Sequence, residues 1–391
     1  LHQKTTMERF NWKETLRLNI FMLKIVGLWP GDDKSYGCNL YTLYAIISIF
    51  LFQIVHIFFQ SANILFVLDD LEALTNNISV VLMEMSIALK TYCLVKNMKM
   101  LKELMITIDS DSFQPKTPEQ KNLIQPNLNT WKTVVSSFWI FAVSCMVLWV
   151  LFPILDKSVK EYRLPFLAWY PYDTKTSPLY ELTYFYQALS LSFIAMANLN
   201  TDTLIAALNM YIGAQFDILC DDLRNLRINN ETSTEVDKKL KSCVKHHREI
   251  LKFVDYANQF YNWLLLVKFF VGGVSLGITM FQMTIVVPFS SEFYSIAGYA
   301  QAVSLEVFMY CWFGNEIEVK SSKIPYAVFE SDWTSLSPKV QKNMIIFVLR
   351  VQRSLRISAL GLFNLSLETF VKILRTAWSY FALLRQVNAP T

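Results

Sequence analysis

The chain has 391 residues, 53% of them hydrophobic, 15% aromatic and only 17% charged, with a mean hydropathy of +0.30. Water-soluble domains carry about 25% charged residues, so the deficit and the long apolar runs point to lipid surroundings. The formal net charge of +4 is small, and the basic residues sit beside apolar runs instead of forming a stripe, which argues against a nucleic-acid partner. With ten glycines and no phosphate-binding loop, nucleophile elbow or paired carboxylates, the chain offers little to an enzyme, and no cofactor is expected.

Residues 7–26 set Phe10, Leu16, Ile20, Leu23 and Val26 against Arg9, Lys13, Arg17 and Lys24, which predicts an amphipathic helix suited to a membrane interface. Gly27-Leu28-Trp29-Pro30 ends it with a breaker and an interfacial aromatic. Residues 1–39 are charged throughout and hold no isolated apolar stretch ahead of a small-residue site, so the first span is expected to act as the insertion signal. Apolar runs predict spans at 40–68, 74–95, 134–155, 181–200, 263–287 and 294–314, with a seventh at 365–387. The expected fold is all-α, a bundle of seven transmembrane helices. Its segments are an N-terminal part (1–39), spans one to four (40–200) with connections at 96–133 and 156–181, a helical region (201–262), spans five and six (263–314), a further connection (315–356), and the last helix with a short tail (357–391).

Twenty-seven lysines and arginines fall in 1–39, 96–133, 213–262 and 315–356, against five in the connections and tail of the other side. The positive-inside rule then makes the N-terminus cytosolic and the C-terminus extracellular, the reverse of a G-protein-coupled receptor. None of the six cysteines, Cys38, Cys93, Cys145, Cys220, Cys243 and Cys311, falls in an outer connection, so no extracellular disulfide is expected. Of the two sequons, the one at Asn77 hugs the membrane and the one at Asn230 is cytosolic, and neither reads as a glycan site.

From 203 to 226, Leu204, Ile205, Leu208, Ile212, Phe216, Leu219, Leu223 and Leu226 keep helical spacing, which predicts that the fourth span continues into the cytosol as an amphipathic helix. Asn229, Asn230 and Thr232 break it. A second helix over 234–262 leads into the fifth span, and a third over 337–356 has Val340, Met344, Phe347, Val348, Val351 and Leu355 on one side. Three such faces outside the bilayer need partners, so a cytosolic helical bundle, within or between subunits, is expected. His56, His246 and His247 lack cysteine or carboxylate partners at metal spacing. Lys90, near the inner end of its span, is expected to snorkel, and Lys268 to pair with a carboxylate such as Glu306 or Asp202. No internal repeat supports an inverted-repeat transporter.

In the last helix, Glu368, Lys372, Arg375, Ser379, Leu383 and Gln386 share one narrow arc, and Phe370, Ile373, Leu374, Ala377, Phe381 and Leu384 lie opposite. It can cross a hydrocarbon layer of ~30 Å only if its charged stripe faces protein or water. Two readings stand: several copies turning the stripe toward a shared aqueous path, or an amphipathic helix buried in a bundle.

Several of these stretches together resemble one family, the insect odorant receptors. Gly27-Leu28-Trp29-Pro30 is similar to the family's start, and Phe329-Glu330-Ser331-Asp332-Trp333 to its motif before the last cytosolic helix. Gln352-Arg353, Gly361, Phe363, Ser366, Phe370, Ile373-Leu374 and Ser379-Tyr380-Phe381 resemble its C-terminal run. The resemblance implies a ligand-gated, non-selective cation channel, a multi-pass tetramer in the plasma membrane of olfactory sensory neurons. In it a divergent odorant-binding subunit joins a shared olfactory co-receptor subunit, and the last helix lines the pore. Its partners would be the co-receptor, a small volatile odorant, membrane lipid and permeant cations. This chain resembles the odorant-binding subunit, because a co-receptor would carry a much longer insertion between the fourth and fifth spans. A gustatory-type homotetramer of the same superfamily, told apart by current without a co-receptor, stays as an alternative, with a G-protein-coupled receptor further off.

The pore residues that the resemblance implies are Ser379, Leu383, Gln386 and Val387, with Leu383 at the hydrophobic constriction. An apolar ring there gates by dewetting, and the adjacent amide replaces part of an ion's hydration. Lys372 and Arg375 would give a homomeric pore a ring of positive charge, so poor conduction is expected without the co-receptor. The implied odorant site lies in the outer half of the bundle, among the second, third, fourth and sixth spans. The residues there are Val80, Met83, Glu84 and Ile87, then Cys145, Val147, Leu148 and Trp149, then Tyr184, Tyr186, Gln187 and Ser190, with Ile296 and Tyr299, each to be weighed against plain packing. Methionine and aromatics suit an apolar volatile, and Tyr186, Ser190 or Glu84 could supply the one hydrogen bond that orients it.

Overall fold

Four of the long helices open on side chains that satisfy their first free amides. Asn39 accepts from the Thr42 amide at 2.8 Å, Thr117 from Gln120 at 3.2 Å and Ser290 from Phe293 at 3.1 Å, while the Thr232 amide donates to Glu235 at 2.9 Å in a capping box. The computed structural model describes residues 9–31, 36–226 and 232–387.

A 3₁₀ turn at Trp12–Leu16 leads into α1 (Arg17–Ile25). The first apolar run folds as α2 (Leu40–Ile49) and α3 (Val55–Asn63), joined by a π-helical turn at Phe50–Ile54. Next come α4 (Leu71–Lys96), α5 (Met98–Ile108), α6 (Pro118–Leu155), α7 (Leu179–Arg224), α8 (Ser233–Ile285), α9 (Ser291–Ser322), α10 (Ile324–Phe329) and α11 (Pro338–Val351). A two-stranded antiparallel ribbon, β1 (Ser358–Ala359) with β2 (Phe363–Asn364), precedes α12 (Leu367–Val387). Helical periodicity does not predict this ribbon. Leu360 and Gly361 turn it with φ of 50° and 74°.

Among the described residues, five segments are long and apolar enough to cross a bilayer: Leu40–Phe66, Ala73–Lys96, Pro118–Leu155, Leu179–Arg224 and Ser233–Ile285. The sixth and seventh helices of the bundle, α9 and α12, fall outside that group. Each carries charge, α9 at the buried Glu306 and α12 along its exposed stripe.

The N-terminal helix buries Leu16, Leu23 and Val26 and exposes Arg9, Lys13, Arg17 and Lys24, as its pattern predicts. Gly27, at φ +76°, closes it: the Leu28 amide reaches back to the Leu23 carbonyl at 2.8 Å and the Gly27 amide to Lys24 at 3.2 Å. A Cβ at Gly27 would also lie 2.8 Å from Ala45 Cα.

The fourth span and its predicted continuation form one helix of 46 residues, about 69 Å long at ~1.5 Å per residue. It is not amphipathic. Asn200, Thr201, Asp202, Thr203 and Asn209 are as buried as Leu204 and Leu208, because α1, α4, α6, α8, α9 and α10 pack around it. α8 likewise fuses the predicted cytosolic helix and the fifth span into 53 residues, and much of 96–133 is helical, as α5 and the start of α6. α11 buries Val340, Met344, Phe347, Val348 and Val351 as expected, but stops before 356. Asn77 is buried with its side-chain amide donating to the Gln60 carbonyl at 3.2 Å, so it cannot carry a glycan. The predicted break at Asn229 and Asn230, with its sequon, lies outside the described residues.

Lys90 does not snorkel. It is 2% exposed, and its ammonium donates to Asp202 Oδ1 at 2.5 Å, Glu306 Oε1 at 2.8 Å and Asn198 Oδ1 at 2.7 Å. Lys268 pairs with the other oxygen of Glu306, as the sequence suggests, and the Tyr310 hydroxyl donates to Asp202. Two lysines and two carboxylates from α4, α7, α8 and α9 thus form one buried quartet. Lys268→Met leaves an uncompensated carboxylate and is expected to cost about 3–5 kcal/mol. The double variant Lys268→Met/Glu306→Gln restores the charge balance and should melt above either single variant in detergent-solubilised thermal unfolding.

In the part that the positive-inside rule assigns to the cytosol, His246 is buried and shares a 3.0 Å hydrogen bond with Gln215 Oε1, whose amide donates to the Phe113 carbonyl at 2.9 Å. Burial, and then nearby Lys116, push the His246 pKa down to about 4, and burial with Arg350 does the same for His247. The unfolded chain protonates histidine near ~6.5, so this stability is fully present above that pH and is lost as pH falls toward about 4. His246→Gln is expected to flatten the decline of melting temperature across that window relative to the unmodified chain.

Candidate functional site

At the end of the bundle that the positive-inside rule assigns to the outside, α4, α6 and α9 line a cavity of about 340 Å³, within the ~300–1,000 Å³ typical of small-ligand sites. Its aromatic wall is built by contact. Trp149 stacks on Tyr299 with ring centroids 5.8 Å apart and meets Phe166 edge-on at 5.3 Å. The Tyr299 hydroxyl donates to the Ser79 carbonyl at 3.3 Å, turning its ring against α4. Phe166 belongs to the outer connection and is pinned by Gln187: the Phe166 amide donates to Gln187 Oε1 at 3.0 Å, and Gln187 Nε2 donates to the Phe166 carbonyl at 3.1 Å. The rest of the lining is mixed: Gln60, Asn76, Asn77, Ser79, Gln282 and Ser295 are polar, and Asp70, Arg163 and Glu292 are charged.

Of the residues singled out in the sequence, Val80, Trp149, Ile296 and Tyr299 line this cavity. The others are placed elsewhere. Met83 is buried with its sulfur 3.8 Å from the Lys268 ammonium, and Ile87 is buried one turn further along α4. Glu84 is buried with Oε1 3.5 Å from His56 Nε2, a pairing 28 positions apart that no spacing rule foresees. Cys145 packs at Gly298, Tyr186 donates to the Leu51 carbonyl at 2.7 Å, and Ser190 is fully buried. Sequence reasoning missed Gln60, Asn77 and Phe166. The density of aromatics over 164–172, high for a solvated connection, was the available signal for Phe166.

Tyr299 has a second set of neighbours. It packs against a cluster of Met83, Val271, Leu276, Val303 and Ala377, joined by Leu374. Ala377 and Leu374 belong to α12, so Tyr299 lines the cavity and packs on the same cluster that the last helix joins. α12 itself buries Ile373, Ala377 and Phe381 and exposes Glu368, Lys372, Arg375, Ser379, Leu383 and Gln386. Lys372 pairs with Glu368 one turn earlier at 2.7 Å. The Val387 side chain lies outside the described residues.

The profile of the 7tm Odorant receptor family matches residues 70–378. Odorant receptor Or1 of Anopheles gambiae is 21% identical, with 98% of this chain and 97% of that protein aligned. Odorant receptor 46a, isoform A, of Drosophila melanogaster is 23% identical over 94% and 96%. Among solved structures, the insect olfactory receptor OR5 from Machilis hrabei in complex with eugenol superposes with a TM-score of 0.83 at 19% identity, covering 96% of this chain and 99% of that one. The fold is therefore that of an insect olfactory receptor, and the chain belongs to the seven-transmembrane odorant receptor family.

Proposed function

We propose that the chain is the odorant-binding subunit of a ligand-gated, non-selective cation channel, assembled as a heterotetramer with an olfactory co-receptor in the plasma membrane of sensory neurons. The observation that carries this reading is Tyr299, which lines the outer cavity and packs on the cluster holding Ala377 of α12. A small volatile with an apolar body fills the cavity, gaining burial against Trp149, Phe166 and Ile296. Gln60 or Asn77 supplies the hydrogen bond that orients it. The displaced Tyr299 ring bears on Val303 and Ala377, and α12 responds.

In this reading α12 turns its exposed arc toward a central aqueous path. Leu383 forms the apolar constriction, with Ser379 below it and Gln386 beyond. Glu368 offsets Lys372, leaving Arg375 as the charge that disfavours cations in a homomer. The co-receptor's helices dilute it. Exposed Ile345, Ile346 and Leu349 on α11 offer an apolar face for the cytosolic contact between subunits.

Whole-cell recording with and without an insect olfactory co-receptor, across a panel of volatile esters, terpenes and aromatics, tests the assembly. Odour-gated current is expected only in the pair, reversing near zero millivolts; robust current from this chain alone would sink the heteromeric reading. Trp149→Ala in the pair removes the ring that joins Phe166 to Tyr299 in the aromatic wall and should lower odorant potency on the order of ten- to a hundredfold, with surface expression unchanged. Unaltered potency would move the ligand out of this cavity.

A further inference from the structure

A second and larger cavity, about 660 Å³, opens between the N-terminal segment and the first half of α6. Nothing in the odorant reading uses it. Phe10, Leu18, Leu128 and Val135 give it apolar walls, and Arg9, Lys121 and Lys132 stand against the single carboxylate of Glu14. Arg9 and Lys13 are engaged by Asp111 and Asp109. Lys121 and Lys132 are exposed and without an ion-pair or hydrogen-bond partner among the described residues. They lie eleven positions apart on α6, three turns on nearly one face and ~16 Å along the axis, a gap that two extended lysine side chains close onto one phosphate between them.

Trp131 walls the same cavity and is 4% exposed. The position fits a lipid: Lys132 stands just ahead of the apolar run that begins at Val134, at the level where α6 enters hydrocarbon. Beside it, α1 exposes Leu18, Phe21 and Ile25 among Arg17 and Lys24, the pattern of a helix lying in the interface.

We propose that this cavity binds the headgroup of an anionic phospholipid from the cytosolic leaflet. The headgroup phosphate accepts from Lys121 and Lys132, and an acyl chain runs along Leu18 and Val135. Because α6 carries Trp149 at its other end, the lipid steadies the helix that forms the odorant wall.

The test uses the full chain, reconstituted in phosphatidylcholine vesicles doped with phosphatidylserine, re-extracted and assayed for retained lipid by mass spectrometry. Phosphatidylserine should be enriched over phosphatidylcholine, and the enrichment should fall on the order of tenfold in Lys121→Gln/Lys132→Gln. Lys339→Gln/Lys342→Gln, two exposed lysines on α11, should keep it. Both pairs are solvent-facing, and unchanged melting temperatures would establish that each variant is folded. Absent enrichment, or equal loss in the two variants, overturns the site. Displacement of the lipid by inorganic phosphate alone overturns the lipid assignment in favour of a soluble anion.

Discussion

Everything in the bundle is referred to one carboxylate, Glu306. Each of its oxygens serves a different lysine, Oε1 facing Lys90 of α4 and Oε2 facing Lys268 of α8. Lys90 in turn binds Asp202 of α7, so four helices meet at four formal charges that sum to zero. Burying an ion costs several kcal/mol, and pairing in a low-dielectric interior roughly repays it. The net gain in stability is therefore small, but the penalty for misalignment is not. An axial slip of one helix by a single ~1.5 Å step would separate a short ion pair and leave a charge alone. The quartet acts as a registry device for α4, α7, α8 and α9, and through α4 and α9 it fixes where Val80 and Tyr299 line the outer cavity.

The last helix is held by a different kind of contact. At Gly277 of α8 an added Cβ would lie 2.7 Å from Tyr380 Cβ and 3.1 Å from the Ala377 carbonyl, and Gly273 meets Ile373. Close backbone approach and apolar packing seat α12, and among the described residues no ion pair ties it to α8 or α9. A shift of such an interface strands no buried charge, whereas a shift of the quartet does. The bundle thus has a rigid centre locked by charge and a peripheral helix seated by shape.

That division also decides what could be read from the sequence. α12 and α11 each lie against the fold with one face, so a period of 3.6 sorted their residues correctly: Glu368, Lys372, Arg375, Ser379, Leu383 and Gln386 are exposed, and Ile373, Ala377 and Phe381 are buried. α7 is surrounded, and there periodicity carries no information about its polar positions. Asp202 and Asn200 read as the exit from the membrane and are instead fully buried. Lys90 looked able to snorkel because its partners lie 112 and 216 positions away. The cavity was legible only in part for the same reason. Val80, Trp149, Ile296 and Tyr299 sit on helices whose outer ends could be assigned, but Gln60 joins them through the packing of α3 on α4, and Phe166 through folding back of the outer connection, a tertiary event that leaves only an aromatic-rich segment in the sequence.

These two kinds of contact together give α9 the form of a lever. Glu306 holds it to α4 and α8, and Tyr299 lies seven residues away, about 10 Å along the helix. Val303, between them, meets the cluster that contains Ala377. A ligand that moves Tyr299 therefore works against a fixed point two turns distant, and the displacement passes Val303 before it is stopped at Glu306. In the proposed gating, the first element to yield along that path is α12, since among the described residues its seat contains no charge pair to break. In the proposed gating the cavity acts on α12 through the apolar contacts of Tyr299 and Val303, and the quartet is the part of the bundle that resists the motion.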